Sequence, residues 1–332
     1  MPSRGGPNRG GRITAALVVL CVVLGGGYVA YAALGPSQTT TDASPSAGRA
    51  PTDVAVMVRA VDPAGPALNG GVFVVEDGKV RRRSRDLACE RVYFAAGRGI
   101  CMGVASSGVD YTASVFDAGF HPVHSMRLTG LPSRARVSAD GRYGAMTVFV
   151  AGDAYLESST AFSTRAYVLD MKSGETIGQL EQFDVTKDGA PFDAVDFNFW
   201  GITFDPADSN RFYATLATGD HHYLVAGDVA ARSLRVLRDG VECPSLSPDG
   251  RQIAYKSRIE GTNRWRLHVL DVATLADHPV AEKRSIDDQP EWLDDETLVY
   301  SDGTDVYTVP ADGGGAAELL VRDATSPVAL RG

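Results

Sequence analysis

From residue 53 onward the apolar positions fall in short runs rich in β-branched residues, separated by turns made of Gly, Asp and Pro. No stretch of useful length keeps the 3.6-residue spacing of an amphipathic helix, so the pattern predicts a domain built almost wholly of strands. Its clearest passage is Cys243-Pro-Ser-Leu-Ser-Pro-Asp-Gly-Arg-Gln-Ile-Ala-Tyr-Lys-Ser-Arg258, where two strand-forming runs flank Ser247-Pro248-Asp249-Gly250. Proline presets φ at one turn position, the Asp side chain bonds its own backbone, and glycine accepts the positive φ that closes the turn. On the outgoing strand Ile253 and Tyr255 alternate with Gln252 and Ala254, and the passage reads as a β-hairpin.

Weaker copies of the turn recur at Ser138-Ala-Asp-Gly141, at the looser Phe204-Asp-Pro-Ala-Asp-Ser-Asn210, at Leu293-Asp-Asp-Glu296 and at the degenerate Phe94-Ala-Ala-Gly97. Several lie roughly 40 to 45 residues apart, the period of a four-stranded propeller blade. A strand follows each turn, over 100–104, 143–150, 212–216, 252–257 and 297–301, and a second pair of strands then completes the unit. Five units follow from this count. A sixth needs both ends of the domain: 54–58, 71–75 and 79–83 supply three strands, and Ala324-Thr-Ser-Pro-Val-Ala-Leu330 supplies the fourth. The prediction is an all-β, six-bladed propeller of four-stranded antiparallel blades over residues 53–332, closed by its N- and C-terminal strands so that no array edge is left open.

Residues 13–34 carry no charge and are long enough to cross a bilayer core, which takes roughly 20 helical residues. Arg4, Arg9 and Arg12 precede them with no acidic residue, which makes 1–12 a cytoplasmic basic tail and sends the rest outward. The expectation is a single-pass membrane protein with an extracytoplasmic propeller. The alternative is an export signal cut near Ala32, at the small-x-small site Ala30-Tyr31-Ala32, leaving a secreted domain. Leu20 before Cys21 speaks against a lipid-modified cysteine. Residues 35–52 are rich in Pro, Ser, Thr and Gly without apolar periodicity and read as a flexible linker.

The formal net charge of -9 excludes nucleic acid as a partner, because a polyanion needs a basic surface. Arg81-Arg82-Arg83 with Arg85 reads as a solvated edge. Cys89, Cys101 and Cys243 face an oxidising space, and an odd number leaves at least one unpaired. A hairpin turning at Gly97 sets Cys101 opposite Val92 rather than Cys89. A Cys89–Cys101 bridge therefore requires the chain to bend before the strand; the other reading is buried thiols.

The passage Pro244 to Arg258 resembles the WD40-like repeat of TolB-type six-bladed propellers, and Gln289-Pro-Glu-Trp-Leu-Asp-Asp295 resembles the Pro-x-Trp opening of the same unit. The motif is specific for one blade and fair for a second, and the period carries it over most of residues 53–332. The units at 94 and 204 depart from it, having lost the Ser-Pro-Asp-Gly turn. The resemblance implies the fold more than a TolB-like role in envelope assembly, since propellers host many unrelated functions.

With strands lettered a to d from the inside of a blade outward, a–b and c–d turns lie at one end, b–c loops and d–a crossovers at the other. The third unit has a long b–c loop, 151–163, and a long d–a crossover, 181–198, so both inserts emerge on one face. Long ordered loops usually carry function, and these are rich in aromatic residues. The predicted binding face comprises Tyr155, Glu157, Phe192, Asp193, Asp196, Asn198 and Trp200, joined by Asp220, His221 and His222 of the neighbouring b–c loop. Aromatic anchors in a polar rim suit an envelope protein or polymer. The competing reading is that the phenylalanines only pack the inserts onto blade three.

His121 and His124, and His221 and His222, have no Cys or Glu at zinc spacing beside them. Asp184, Asp188, Asp193 and Asp196 offer oxygens to Ca²⁺ without the spacing of a calcium loop, and no cofactor is expected. No Gly-x-Ser-x-Gly elbow, His-Glu-x-x-His helix or phosphate loop occurs. The expected function is a monomeric, non-catalytic protein- or ligand-binding module. The alternative is an exported propeller hydrolase or carbohydrate-active protein using carboxylates at the channel mouth.

Overall fold

The Ser-Pro-Asp-Gly turn forms as its chemistry dictates. Ser247 Oγ donates to Asp249 at 2.6 Å and accepts from the Gln252 amide at 3.0 Å, while Gly250 sits at φ +73°. Ser138-Ala-Asp-Gly141 repeats the arrangement: Ser138 Oγ donates to Asp140 at 2.6 Å and accepts from the Tyr143 amide at 2.9 Å. These turns also bridge blades. Ser209 Oγ donates to Asp140 at 2.7 Å, and the Asp249 amide donates to Asp295 at 2.9 Å.

The computed structural model describes residues 46–47, 54–61, 70–150 and 163–331, all within one unit, Ser44–Gly332. Six sheets, each with an antiparallel four-stranded core, form six blades. Blade two runs through Arg91–Ala95, Arg98–Val104, Tyr111–Asp117 and Pro122–Leu128, and blade three through Leu131–Val137, Tyr143–Val150, Ser163–Asp170 and Thr176–Gln179. Blade four begins at Asn198–Phe204, blade five at Glu242–Leu246 and blade six at Glu291–Trp292. Blade one is assembled from both ends: Ala324–Leu330 is its inner strand, followed outward by Ala55–Ala60, Gly71–Glu76 and Lys79–Ala88. The closing register pairs Ala55 with Leu330 and Ala60 with Ala324.

Second strands such as Tyr143–Val150 are buried on both faces because each blade is sandwiched between its neighbours. The core lies in those gaps. Trp292, Leu298 and Tyr300 of blade six pack with Ala254, Leu267 and Val269 of blade five. The a–b and c–d turns define a turn face, and the b–c loops and d–a crossovers a loop face.

Two blades carry more than the four expected strands. The 181–198 crossover, read from sequence as an insert on blade three, supplies outer strands to blade four: Asp184–Lys187 lies parallel to Ser233–Arg238 and folds back on Ala190–Pro191. Phe183 and Val185 are buried in the core between blades three and four, with Phe192 and Phe197 packed against it. Ser46–Ala47, inside the stretch read as linker, pairs with Glu318–Arg322 of blade six.

Cys89 and Cys101 form a disulfide with a Cα–Cα distance of 5.3 Å, although Cys101 stands opposite Val92 as the hairpin register predicts. The bend that permits it precedes the strand: Cys89 N donates to Gly70 O at 2.7 Å and Glu90 N to Met102 O at 2.6 Å. Cys243 is a buried free thiol. Among the described residues no helix is long and apolar enough to cross a membrane; segment 13–34 lies outside them.

Candidate binding face and channel

On blade four the crossover is bonded to the neighbouring b–c loop. Asp196 accepts from Thr218 Oγ1 at 2.6 Å and from the Gly219 amide at 2.7 Å. Asn198 Oδ1 accepts from the Thr164 amide at 2.7 Å, tying blade four to blade three, and its Nδ2 donates to Asp196 O at 3.0 Å. Phe192 meets Tyr223 edge-on at 6.1 Å, and Lys187 donates to the Tyr223 hydroxyl at 2.8 Å. His221 stacks on Tyr223 at 5.2 Å and donates to Asp239, whose carboxylate also accepts from the His222 amide at 3.0 Å.

The structure thus gathers Asp196, Asn198, Phe192, His221 and His222 on the loop face of blade four. Asp193 and Asp220 are exposed beside them. Trp200 lies one layer below, buried with Ala217 and Cys243 and edge-on to His222 at 5.8 Å. Burial depresses the His222 pKa. Tyr155 and Glu157 lie outside the described residues. Among the described residues no three His, Cys, Asp or Glu side chains gather as metal ligands.

A second feature of this face escaped the sequence reading. The exposed large apolar side chains are unevenly placed: Val104, Val109, Leu131, Phe149, Val195 and Ile259 sit at loop-face positions, against Val80 and Val123 near the turn face. Val109 is 81% exposed, Leu131 54% and Val195 88%. Between blades two and three Val109, Tyr111, Leu128, Leu131, Phe149 and Val150 line a groove of about 670 Å³. The available signal was Val109, an apolar residue in a loop otherwise made of Ser, Gly and Asp; Leu131 opens an inner strand and gave none.

The channel is lined by inner strands and is densely charged. Arg136, 6% exposed, pairs with Glu291, 3% exposed, and donates to Ser245 Oγ at 3.0 Å and Pro290 O at 2.7 Å. Arg331 also pairs with Glu291, at 2.9 Å, pinning the C-terminal strand to blade six. Tyr93 donates to Glu291 at 3.1 Å; burial, with the Glu291 charge, pushes its pKa up to about 12. Inner strands are bulged near the loop face, at Cys243 and at Gly201, whose φ is +65° and where a Cβ would lie 2.6 Å from Cys243 Cα. The bulges leave carbonyls for channel side chains; Gln289 donates to Pro244 O at 2.6 Å.

An acid–base pair needs two carboxylates whose surroundings separate their pKa values. Here Glu291 lies against Arg136 and Arg331, Asp288 lies 3.8 Å from Arg134, Asp287 against Lys256, and Glu242 against Arg258 at 3.3 Å. Arg134 and Arg136 were legible only as an i, i+2 pair on an inner strand.

No protein-family model and no curated protein matches this chain. Solved structures resemble it. TolB of Acinetobacter baumannii superposes with a TM-score of 0.60 at 18% identity, covering 84% of this chain and 67% of that one. A protein of Agrobacterium tumefaciens assigned as TolB gives 0.50 at 12%, covering 85% and 93%, and a chain of a nidogen/laminin complex gives 0.55 at 12%, covering 83% and 98%. At such identities the likeness is one of fold, and the fold is that of a TolB-like six-bladed β-propeller.

Proposed function

We propose that this chain is an extracytoplasmic module that binds a protein partner at the cell envelope through its loop face. The observation that carries this reading is the segregation of exposed apolar side chains to one end of the ring, beside a groove of about 670 Å³. Solvent-exposed apolar patches rimmed by polar groups are where partners dock. The hydrogen-bonded crossover of blade four and its neighbouring b–c loop supply polar groups beside Val195 on this face, Asp193 and Asp196 from the first and Asp220 from the second. The buried Cys89–Cys101 bridge supports an oxidising, exported location. In this reading residues 13–34 are the anchor and the propeller is held outside the membrane. The TolB-like fold is compatible with such a role and does not name the partner. The hydrolase alternative gains no comparable support, since the channel carboxylates named above each lie against a cation.

The test is site-specific photo-crosslinking in intact cells of the full chain. Probes at Val109, Leu131 and Val195 are expected to trap one common protein, and probes at Val80 and Val123 are expected to trap none. Equal trapping from both faces, or trapping from Val80 and Val123 alone, refutes the assignment.

A further inference from the structure

At the loop-face mouth of the channel two guanidinium groups converge on one carbonyl: Arg91 Nε donates to Ser133 O at 2.6 Å and Arg134 donates to the same oxygen at 2.9 Å. Arg59 stands nearby, donating to Cys89 O at 2.6 Å and pairing with Glu90 at 2.8 Å. Three carboxylates bear on these three cations. Glu90 pairs with Arg59, Asp288 lies 3.8 Å from Arg134 and also acts on Arg91 from farther off, and Asp287 adds to the charge around Arg134. Among the described residues no carboxylate pairs with Arg91. A cavity of about 30 Å³ lies beside them, lined by Arg91, Arg134, Arg136, Asp288, Gln289 and Ser326. The Nε–H groups of Arg134 and Arg136 are buried without an acceptor. A desolvated, uncompensated guanidinium is costly unless an anion joins it. Burial, with the Arg134 and Arg59 charges adding to it and Asp288 opposing it, holds the Arg91 pKa below the ordinary arginine value.

We propose that this mouth is a carboxylate-binding site, in which Arg91 and Arg134 grip the two oxygens of one carboxyl group. The cavity holds about two water-sized groups, since a water needs roughly 10 to 15 Å³ of such space, which suits the two oxygens of a small planar anion. Guanidinium forks match that planar, two-oxygen geometry. The carboxylate can come from a free small acid or from a polypeptide, and the site stands independently of the partner-binding reading because its titration needs no partner.

The test is thermal unfolding of the full chain at constant ionic strength, with acetate, with N-acetyl-glycylglycine, with the amide of that peptide, and with chloride alone. Acetate or the free-acid peptide is expected to raise Tm saturably, by roughly 5 °C at a hundredfold excess over Kd. A response to acetate marks a small-acid site, and a response to the peptide acid alone marks a polypeptide one. Arg91→Gln is expected to abolish the response and, without carboxylate, to melt at or above the wild-type Tm. Arg91→Lys keeps the charge without the fork and is expected to weaken Kd on the order of tenfold, the worth of one charge-assisted bond. Stabilisation by the amide or chloride equal to that by acetate overturns the proposal. So does an Arg91→Gln or Arg91→Lys variant with an undiminished acetate response.

Discussion

Glu181 offers the sharpest test of the packing around the crossover. It lies in the short 3-10 turn Leu180–Gln182 and accepts the Ala166 amide at 3.0 Å. Burial pushes its pKa from 4.5 up to about 7, against the opposing pull of backbone amides and Arg165. The folded protein therefore holds this proton more tightly than the unfolded chain does. Its stabilising effect is complete below pH 4.5 and declines as pH rises to about 7. At about 1.36 kcal/mol per pH unit, the interval from 4.5 to about 7 amounts to about 3 kcal/mol. Glu181→Gln keeps an oxygen for the Ala166 amide and removes the charge. The variant should exceed wild type by up to about 3 kcal/mol at pH 8 and lose that advantage near pH 4.5. Urea unfolding of both proteins at the two pH values isolates the effect as a difference of differences. Parallel pH profiles would refute the reasoning, and a variant that is less stable at pH 8 would mean that the ionised carboxylate is favourably held.

Three further outcomes follow from the geometry. Cys101→Ser opens a loop of sequence separation 12, and its loss of chain-entropy restraint should cost about 3 kcal/mol in non-reducing urea melts; equal stability with the oxidised wild type would contradict it. Glu291→Ala strands Arg136 in the channel and should cost about 3 to 5 kcal/mol, with Glu291→Gln recovering part of the loss; a neutral alanine variant would mean that the pair is not buried as described. Asp196→Ala removes the acceptor of Thr218 and Gly219, should cost about 1 to 2 kcal/mol, and should speed hydrogen exchange at the Gly219 amide, which native-state exchange measures directly.

The hairpins were legible because their information is local. Ser247, Asp249 and Gly250 satisfy one another within five residues, and Ser138 to Gly141 repeats the pattern, so period and blade count followed. The register of Cys101 against Val92 was equally readable. The disulfide was not, because Cys89 is placed by a hydrogen bond from its amide to the Gly70 carbonyl, a partner in blade one that the blade-two hairpin does not specify. The crossover was assigned to the wrong blade for a related reason. Asp184 pairs in parallel with Ser233, a partner that no turn specifies. For the site, the loop-face parity put Asp196 within reach of Thr218, but the channel charges were hidden: Arg91, Arg134 and Glu291 look like solvated strand residues until the inner strands are brought around one axis.

The way blade one is fastened decides how the ring would come apart. Ala55 and Leu330 face each other at one end of their ladder, so tension between the two chain ends peels that ladder one hydrogen bond at a time instead of shearing it all at once. Peeling would first have to free Ser46–Ala47 from Glu318–Arg322 of blade six and strip Arg331 from Glu291. Beyond that point the three detached strands stay joined to blade two through the short junction after Ala88, and the Cys89–Cys101 bridge holds that junction against the second strand of blade two, ready for the ladder to zip back when the load is released.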